Sequence, residues 1–342
     1  MNPLIRYSCF LFIAWFGLNL ASVQAQARSY QYTDAHLHYV NFFQESEGIQ
    51  ALIKAMDKNN VSSAMLTGLG PIKKWDQKSP RKPKYYMADD GAVYWYSATD
   101  VIVARAVLSL PKSQQQRFHP FITGFNPSDL NAVNHVELML ELYPGLWQGI
   151  GEVITRHDDL TALTYGETAT ADHEALRAVF DLAAKHRMPV NIHSNLTSSR
   201  IHEPQYLSEM ERALQRHPQT IFIWAHAGTS AAVNRGVILD DLDKLLARLL
   251  NQYPNLYIDL SWSVLDDYIL DSKGRPKNEW LKLINAYPHR FVLGSDLVGN
   301  FSNIGKELRT FNTLLDALSS EVANQLAHTN FLRLLPAAQT PK

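Results

Sequence analysis

The chain has 342 residues, of which 46% are hydrophobic, 11% aromatic and 19% charged, and its formal net charge is −1. This composition is typical of a globular enzyme and excludes a disordered or fibrous protein. The near-zero charge also excludes the strongly basic surface that binds nucleic acid, so function must be sought in particular sites.

The first 27 residues have the layout of a secretory signal peptide. A basic start containing Arg6 precedes an apolar run from residue 9 to residue 20, and small residues follow at Ala25 and Ala27. The apolar run is shorter than the roughly 20 residues that a membrane-spanning helix needs. We therefore expect cleavage of residues 1–27 and an exported protein, periplasmic or secreted, without a stable membrane span. Cys9 is the only cysteine, so the mature chain would contain neither a disulfide nor a cysteine nucleophile.

Short, β-rich apolar runs alternate with longer helical stretches along the rest of the chain. Eight such runs are more than an open α/β sheet usually has, and no GxGxxG turn follows the first. The pattern predicts an α/β fold with one domain at 28–336, a (β/α)8 TIM barrel, and a C-terminal tail at 337–342. The predicted strands are residues 32–38, 61–67, 118–125, 149–153, 189–193, 220–226, 255–260 and 290–295.

A long insertion is predicted after strand 2. The segment from Pro71 to Thr99 is rich in lysine, proline and aromatic residues and is too long for a plain connection. Loops that follow barrel strands build the catalytic face, so this segment would lie over the mouth of the barrel. It is either a packed surface excursion or a lid that grips substrate.

Polar residues stand at the carboxyl ends of five predicted strands. In a barrel these ends face the active site, and burying such groups without a role is costly. Residues i and i+2 of a strand point the same way, so His36 and His38 can bind one cation together. A lone histidine on an apolar strand is more often a core residue, but recurrence at several strand ends favours a metal site. The residues are His36, His38, Glu152, His193, His226 and Asp296.

The set resembles the amidohydrolase superfamily over essentially the whole mature chain. A His-x-His pair on strand 1, single histidines on strands 5 and 6, and an aspartate on strand 8 match that superfamily's positions in order and approximate spacing. The phrases at residues 190–194, 225–228, 258–261, 293–296 and 329–333 resemble its amidohydrolase-related (amidohydrolase 2) branch. That branch includes lactonases, other hydrolases and non-oxidative decarboxylases of small carboxylic acids.

The resemblance implies that His36, His38, His193 and Asp296 bind a divalent cation. Imidazole and carboxylate ligands favour zinc and also accept manganese or iron. The cation would activate water, and Asp296 would carry the proton to the leaving group. His226 then either polarises the substrate oxygen or binds a second ion.

Glu152 bears on the choice between one ion and two. A carboxylate at the end of strand 4 bridges two cations in some branches of the superfamily, where others use a modified lysine, and no lysine stands there in this chain. The alternative is that Glu152 pairs with Arg156 or orients a histidine ligand. One ion is the default expectation.

Candidate substrate-binding residues follow the same strands. Arg156, Asn195 and Arg200 come after strands 4 and 5, and a guanidinium can hold a substrate carboxylate in a bidentate fork. Trp262 and Asn300 could also face substrate, while Asp34 and Asp259 could support the ligands. The remaining histidines receive no role, and most are expected at the surface: His119, His135, His157, His173, His186, His202, His217, His289 and His328.

Three functions are compatible with these residues, each with a small molecule as the partner. The first is hydrolysis of a small ester, lactone or amide. The second is non-oxidative decarboxylation of an aromatic or unsaturated acid, which export disfavours. The third is a non-catalytic metal-binding or ligand-binding barrel, in which Asp296 and His226 would serve no purpose. No Gly-x-Ser-x-Gly motif supports a serine hydrolase, and the sequence leaves open whether the chain forms a homo-oligomer.

Overall fold

A computed structural model describes residues 28–74, 92–157, 160–161 and 167–337. The predicted signal peptide, the centre of the predicted insertion (75–91) and residues 338–342 of the predicted tail lie outside these ranges. Among the described residues, no helix has the length and apolar character needed to cross a membrane.

Ten parallel strands form the main sheet and two further strands form a hairpin. The strands are β1 (Tyr32–Asp34), β2 (Leu37–His38), β3 (Val61–Thr67), β4 (Ile72–Lys74), β5 (Ala92–Tyr94), β6 (Phe118–Ile122), β7 (Gly149–Ile154), β8 (Val190–His193), β9 (Phe222–Trp224), β10 (Leu256–Asp259), β11 (Phe291–Val292) and β12 (Leu297–Val298). The order in the main sheet is β11-β10-β9-β8-β7-β6-β3-β2-β12, and β1 also pairs with β3.

The sheet closes into a barrel because β11 and β12, which stand at the two ends of this order, follow one another directly in the chain. β12 pairs in parallel with β2, and between β11 and β12 the Leu293 carbonyl accepts a 2.8 Å hydrogen bond from the Ala35 amide. The first and last barrel strands are each interrupted once, so they appear as β1 with β2 and as β11 with β12. The predicted α/β barrel is confirmed.

The helices that follow the strands pack on the sheet. Their bounds are α1 (Ile49–Lys58), α2 (Thr99–Leu108), α3 (Lys112–Gln115), α4 (Ala132–Leu142), α5 (Glu174–His186), α6 (Leu207–Arg216), α7 (Ala231–Asn234), α8 (Leu242–Gln252), α9 (Asn278–Ala286), α10 (Ile304–Thr310), α11 (Asn312–Asp316), α12 (Ser320–Asn324) and α13 (Asn330–Leu334).

Helix α5 illustrates how the sequence pattern sets these contacts. The His173 side chain caps its first turn by accepting a hydrogen bond from the Ala175 amide, and Arg187 ends it in the left-handed conformation. Between these ends, Leu176, Val179 and Phe180 repeat at helical spacing and are buried. Burying each such side chain contributes about 1.5–3 kcal/mol.

A small apolar cluster fills the inside of the barrel. It joins side chains from several strands with Phe331 and Leu334 of α13, and the Phe121 and Phe331 ring centroids lie 6.0 Å apart. Gly149 makes room for the Phe121 ring, because a Cβ at residue 149 would lie 2.3 Å from it. The interior is therefore packed, which leaves the carboxyl ends of the strands as the place for a site.

The ends of the predicted insertion pair with each other. β4 and β5 are antiparallel, with Ile72 opposite Tyr94. The residues between them lie outside the described ranges, so the role of this segment as a lid stays a prediction.

Candidate metal centre

The strand ends bring the predicted site residues together at one face of the barrel. A cavity of about 340 Å³ opens there, and His38, Glu152, His193, His226 and Asp296 contribute to its wall. His36 lies directly behind, fully buried. Six residues from five strand ends, up to 260 positions apart in the chain, thus share one small volume.

His36 and His38 present the same nitrogen to the same point. Nδ1 of His36 donates to Asp259 Oδ2 at 2.8 Å, and Nδ1 of His38 donates to the Gly68 carbonyl at 2.8 Å. In the neutral ring each Nε2 then carries the lone pair, which is the form that binds a cation. Both Nε2 atoms face the carboxylate of Asp296, at 3.5 and 3.4 Å from Oδ1.

Glu152 lies between two pairs of histidines. Its Oε2 is 3.7 Å from His36 Nε2 and 3.4 Å from His38 Nε2. Its Oε1 is 3.0 Å from His193 Nδ1 and 3.6 Å from His226 Nε2. Each carboxylate oxygen thus serves one pair, which is the arrangement that a bridging ligand needs.

His193 and His226 are also held from behind. Nε2 of His193 lies 3.0 Å from Asn195 Oδ1, which accepts its proton and leaves Nδ1 facing Glu152. Nδ1 of His226 lies 2.9 Å from the Ser261 hydroxyl, which leaves Nε2 facing the same carboxylate. Asn195, predicted to bind substrate, therefore contacts a histidine and is not among the described residues of the cavity wall.

Asp296 reaches the mouth through a local break in the last barrel strand. Its φ of 51° is left-handed, a conformation that aspartate tolerates better than most residues. Asp34 fixes this break, because its carboxylate accepts from both the Ser295 amide (2.8 Å) and the Ser295 hydroxyl (2.6 Å). His226 and Trp262, which also come just after barrel strands, have left-handed φ values of 52° and 59°.

The electrostatics of the site call for positive charge. Burial alone would lower the pKa of His38, but hydrogen bonding to Asp296 and Glu152 outweighs it and raises the pKa to about 9. Burial likewise raises the pKa of Glu152, yet His36 and the other histidines bring it well below its usual range. Two buried carboxylates therefore need cationic partners, which protons or metal ions can supply.

The residues present fit a divalent metal. Among the described residues, His36 Nε2 is buried without a hydrogen-bond partner although it points towards Glu152 and Asp296. Three groups of potential ligands converge within 4.8 Å: His36, His38 and Glu152; Glu152, His193 and His226; and His36, His226 and Asp259. Imidazole nitrogen and carboxylate oxygen are ligands that zinc prefers.

The arginines predicted to bind substrate lie elsewhere. Arg156 donates to both carboxylate oxygens of Glu209, at 3.0 and 2.7 Å, and its guanidinium lies 4.3 Å from the Tyr206 ring. Arg200 is exposed, and so is Asn300, which caps a turn by accepting from the Ser302 amide. None of the three is among the described residues that line the cavity, whereas Trp262 is.

Two polar residues of the cavity wall were missed by the sequence analysis, Arg235 and His157. Arg235 follows α7 and is exposed at the mouth. Most of the unassigned histidines keep some surface accessible, as expected: His202 and His289 are exposed and four others are half-buried, whereas His119, His157 and His217 are buried. A barrel turns the loops after its strands inward, so a loop histidine such as His157 becomes part of the wall.

His157 is held as a neutral ring. It is buried and stacks on His193 with ring centroids 4.4 Å apart. Burial, and then the neighbouring His193, bring its pKa well below the ordinary value. The Leu160 amide donates to its Nδ1, so the ring proton sits on Nε2.

The fold and the site define an enzyme of the TIM-barrel class. Comparison with family models gives a match to the amidohydrolase model (Amidohydro_2) over residues 155–337, more than half of the chain. The chain belongs to the amidohydrolase family. The comparison with curated proteins gave no significant match.

Solved structures show the same fold at low sequence identity. A probable 2-pyrone-4,6-dicarboxylic acid hydrolase from Acinetobacter baumannii, with citric acid bound, has a TM-score of 0.55 at 12% identity and covers 89% of this chain and 98% of its own. A TIM-barrel protein from Bordetella bronchiseptica has a TM-score of 0.55 at 14% identity with the same coverage of both chains. An amidohydrolase from Burkholderia multivorans with bound zinc has a TM-score of 0.52 at 14% identity, again covering 89% and 98%. At such identities the likeness establishes the fold alone.

Proposed function

We propose that this protein is a hydrolase of a small ester, lactone or amide that works with two divalent ions, zinc by preference. The observation that carries the proposal is the position of Glu152, whose two oxygens face two separate histidine pairs. His36, His38 and Asp296 would hold one ion and His193 and His226 the other, with Glu152 shared. The zinc in the structure from Burkholderia multivorans supports the choice of metal.

The metals supply Lewis acidity, which polarises a carbonyl and lowers the pKa of water. Asp296 supplies the base. Its carboxylate lines the cavity, and its side chain keeps 16% of its surface accessible, whereas that of Glu152 keeps 5%. Burial raises the pKa of Asp296, but the charge of His36 and the other histidines brings it below the usual value, so the group is ionised and ready to accept a proton. We propose that Asp296 takes the proton of the attacking water and returns it to the leaving group.

The rest of the cavity shapes and orients the substrate. Phe42, Leu69 and Trp262 form an apolar part of the wall. His157, a neutral ring in the wall beside His193, offers a polar edge to this part of the cavity. These groups suit a small substrate with an apolar body and a polar reacting centre.

Two measurements on the purified protein test the proposal. Metal analysis is expected to find zinc bound in stoichiometric amounts, and a panel of small esters, lactones and amides is expected to release acid. If those compounds release no acid and a second panel of aromatic and unsaturated carboxylic acids yields carbon dioxide, the second candidate, a non-oxidative decarboxylase, is correct. Arg235 and His157 in the cavity wall are what favour that candidate, because decarboxylation needs such a group beside the carboxylate.

Arg235 is expected to select substrates that carry a negative charge. In Arg235→Gln we expect KM for an ester with a free carboxylate to rise about 10-fold, since one charge-assisted hydrogen bond contributes about 1.5–3 kcal/mol. KM for a neutral ester of the same size should stay unchanged. Arg200→Gln is the matched control, because Arg200 is exposed and outside the described cavity wall. Equal effects on both esters would contradict the role.

We further propose that the protein is exported. When the full sequence is expressed in a bacterium with a secretion apparatus, N-terminal sequencing of the mature protein is expected to begin at Arg28. A chain that keeps residues 1–27 and stays in the cytoplasm would contradict this expectation.

A further inference from the structure

We infer that Ser261 is a positioning residue whose hydroxyl ties His226 to the same carboxylate that holds His36. The inference rests on the metal site proposed above and deepens it. It names the group that keeps His226 in its metal-binding form, and it links the two histidine pairs from behind, on the side away from Glu152.

Ser261 connects Asp259 to His226, which are too far apart to form a hydrogen bond directly. Asp259 Oδ2 lies 2.8 Å from His36 Nδ1 but 3.8 Å from His226 Nδ1, too far for a hydrogen bond. The Ser261 Oγ lies between them, at 2.5 Å from Asp259 Oδ2 and 2.9 Å from His226 Nδ1. One carboxylate therefore holds His36 directly and His226 through Ser261.

The direction of each hydrogen bond follows from counting protons. Asp259 accepts from the Ser261 amide at Oδ1 (2.8 Å) and from His36 at Oδ2, so its carboxylate acts as an acceptor on both oxygens. The hydroxyl has one proton and donates it to Asp259. Its lone pairs then accept from Nδ1–H of His226, and a weaker contact of 3.3 Å reaches His36 Nδ1. Nε2 of His226 is left without a proton and faces Glu152.

Because its surroundings are buried, solvent water cannot take over the hydrogen bonds of the Ser261 hydroxyl. Asp259 and Ser261 are 0% exposed and His226 is 1% exposed. Without the hydroxyl, Nδ1–H of His226 would have no acceptor, and the ring could escape this only by moving its proton to Nε2 or by rotating. Either change removes the lone pair that faces Glu152.

The loss should fall on one histidine pair only. In Ser261→Ala, His36 keeps its direct hydrogen bond to Asp259, and His38 keeps the Gly68 carbonyl. The half of the site that contains His193 and His226 would weaken, while the half that contains His36 and His38 would not. A merely structural serine would weaken both halves or neither.

Isothermal titration calorimetry, in which zinc chloride is added to the metal-free protein, tests the inference. The wild type is expected to bind two equivalents. In Ser261→Ala one equivalent should keep its affinity and the other should bind about 10- to 100-fold more weakly, the range seen when a group supporting a metal ligand is lost. Ser261→Thr, which retains a hydroxyl, should restore most of the difference. If the alanine variant does not fold, Ser261→Cys is expected to change the affinity in the same direction, since a thiol is a weaker hydrogen-bonding group.

Ser194→Ala is the matched control. Ser194 is also buried and adjoins a site histidine, but its hydroxyl has no hydrogen-bond partner in the described part of the chain. It should bind zinc as the wild type does. Equal affinities in Ser261→Ala and the wild type, or a loss shared by both equivalents, would overturn the inference while leaving the proposed function intact. Failure of the wild type itself to bind zinc would instead refute the proposed function, and the inference with it.

Discussion

Replacement of Asp296 by asparagine is expected to lower kcat about 10²- to 10⁴-fold, the contribution typical of a positioned general base. Asparagine has nearly the same shape and can stay between His36 and His38, where the carboxylate now lies 3.5 and 3.4 Å from their Nε2 atoms. It cannot accept a proton. The measurement is kcat and KM for the best ester found in the panel, together with the zinc content of the variant.

A surface aspartate provides the control for this experiment. Asp271 pairs with Arg275 in an exposed turn, so Asp271→Asn should leave kcat unchanged. Full turnover by Asp296→Asn would remove the proton shuttle from the mechanism. Loss of all zinc together with turnover would show that Asp296 is needed to hold the ions, and kcat would then be measured at saturating zinc.

Replacement of Glu152 by glutamine should disrupt both halves of the site at once. Glu152 is the one described residue that contacts all four site histidines. Its negative charge would balance the positive charge of the ions that these histidines would bind. We expect zinc affinity to fall by at least about 10²-fold, because even groups that only support a ligand account for 10- to 100-fold. Turnover should fall below detection at low zinc concentration.

Glu209→Gln is the matched control for this second experiment. Glu209 is another partly buried glutamate, but it pairs with Arg156 outside the described cavity wall. It should keep both zinc equivalents. A Glu152→Gln protein that also keeps two tightly bound ions would contradict a bridging role and would leave Glu152 as a group that only orients histidines.

The barrel and the clustering of the polar strand-end residues could be predicted because both depend on local patterns. Strands buried on both faces are continuous apolar runs, and a polar residue at the end of such a run is conspicuous. The spacing of His36 and His38 places both side chains on one side of a strand, and the structure indeed brings their Nε2 atoms to one carboxylate.

The partners of the site residues could not be predicted, because they come from distant parts of the chain. Arg156 is held by Glu209, 53 residues later, and His36 is held by Asp259, 223 residues later. Asp259 is a candidate supporting group in the sequence, but the contacts it makes depend on Ser261, whose place in the phrase at residues 258–261 indicates the family and not this role. The sequence also does not predict the left-handed backbone at His226, Trp262 and Asp296. Packing imposes this conformation, which costs about 1–2 kcal/mol per residue.

The choice between one ion and two shows what the structure adds. The sequence allowed Glu152 to bridge, to pair with Arg156 or to orient a ligand. In the structure Arg156 forms an ion pair with Glu209. Each carboxylate oxygen of Glu152 faces a different pair of histidines. The geometry therefore favours two ions over the default of one.

The most direct test of the two-ion site is anomalous X-ray diffraction at the zinc edge from crystals of the zinc-loaded protein. We predict two anomalous peaks on either side of the Glu152 carboxylate, one near Nε2 of His36 and His38 and the other near Nδ1 of His193 and Nε2 of His226. A single peak, or peaks that do not contact Glu152, would contradict the two-ion site.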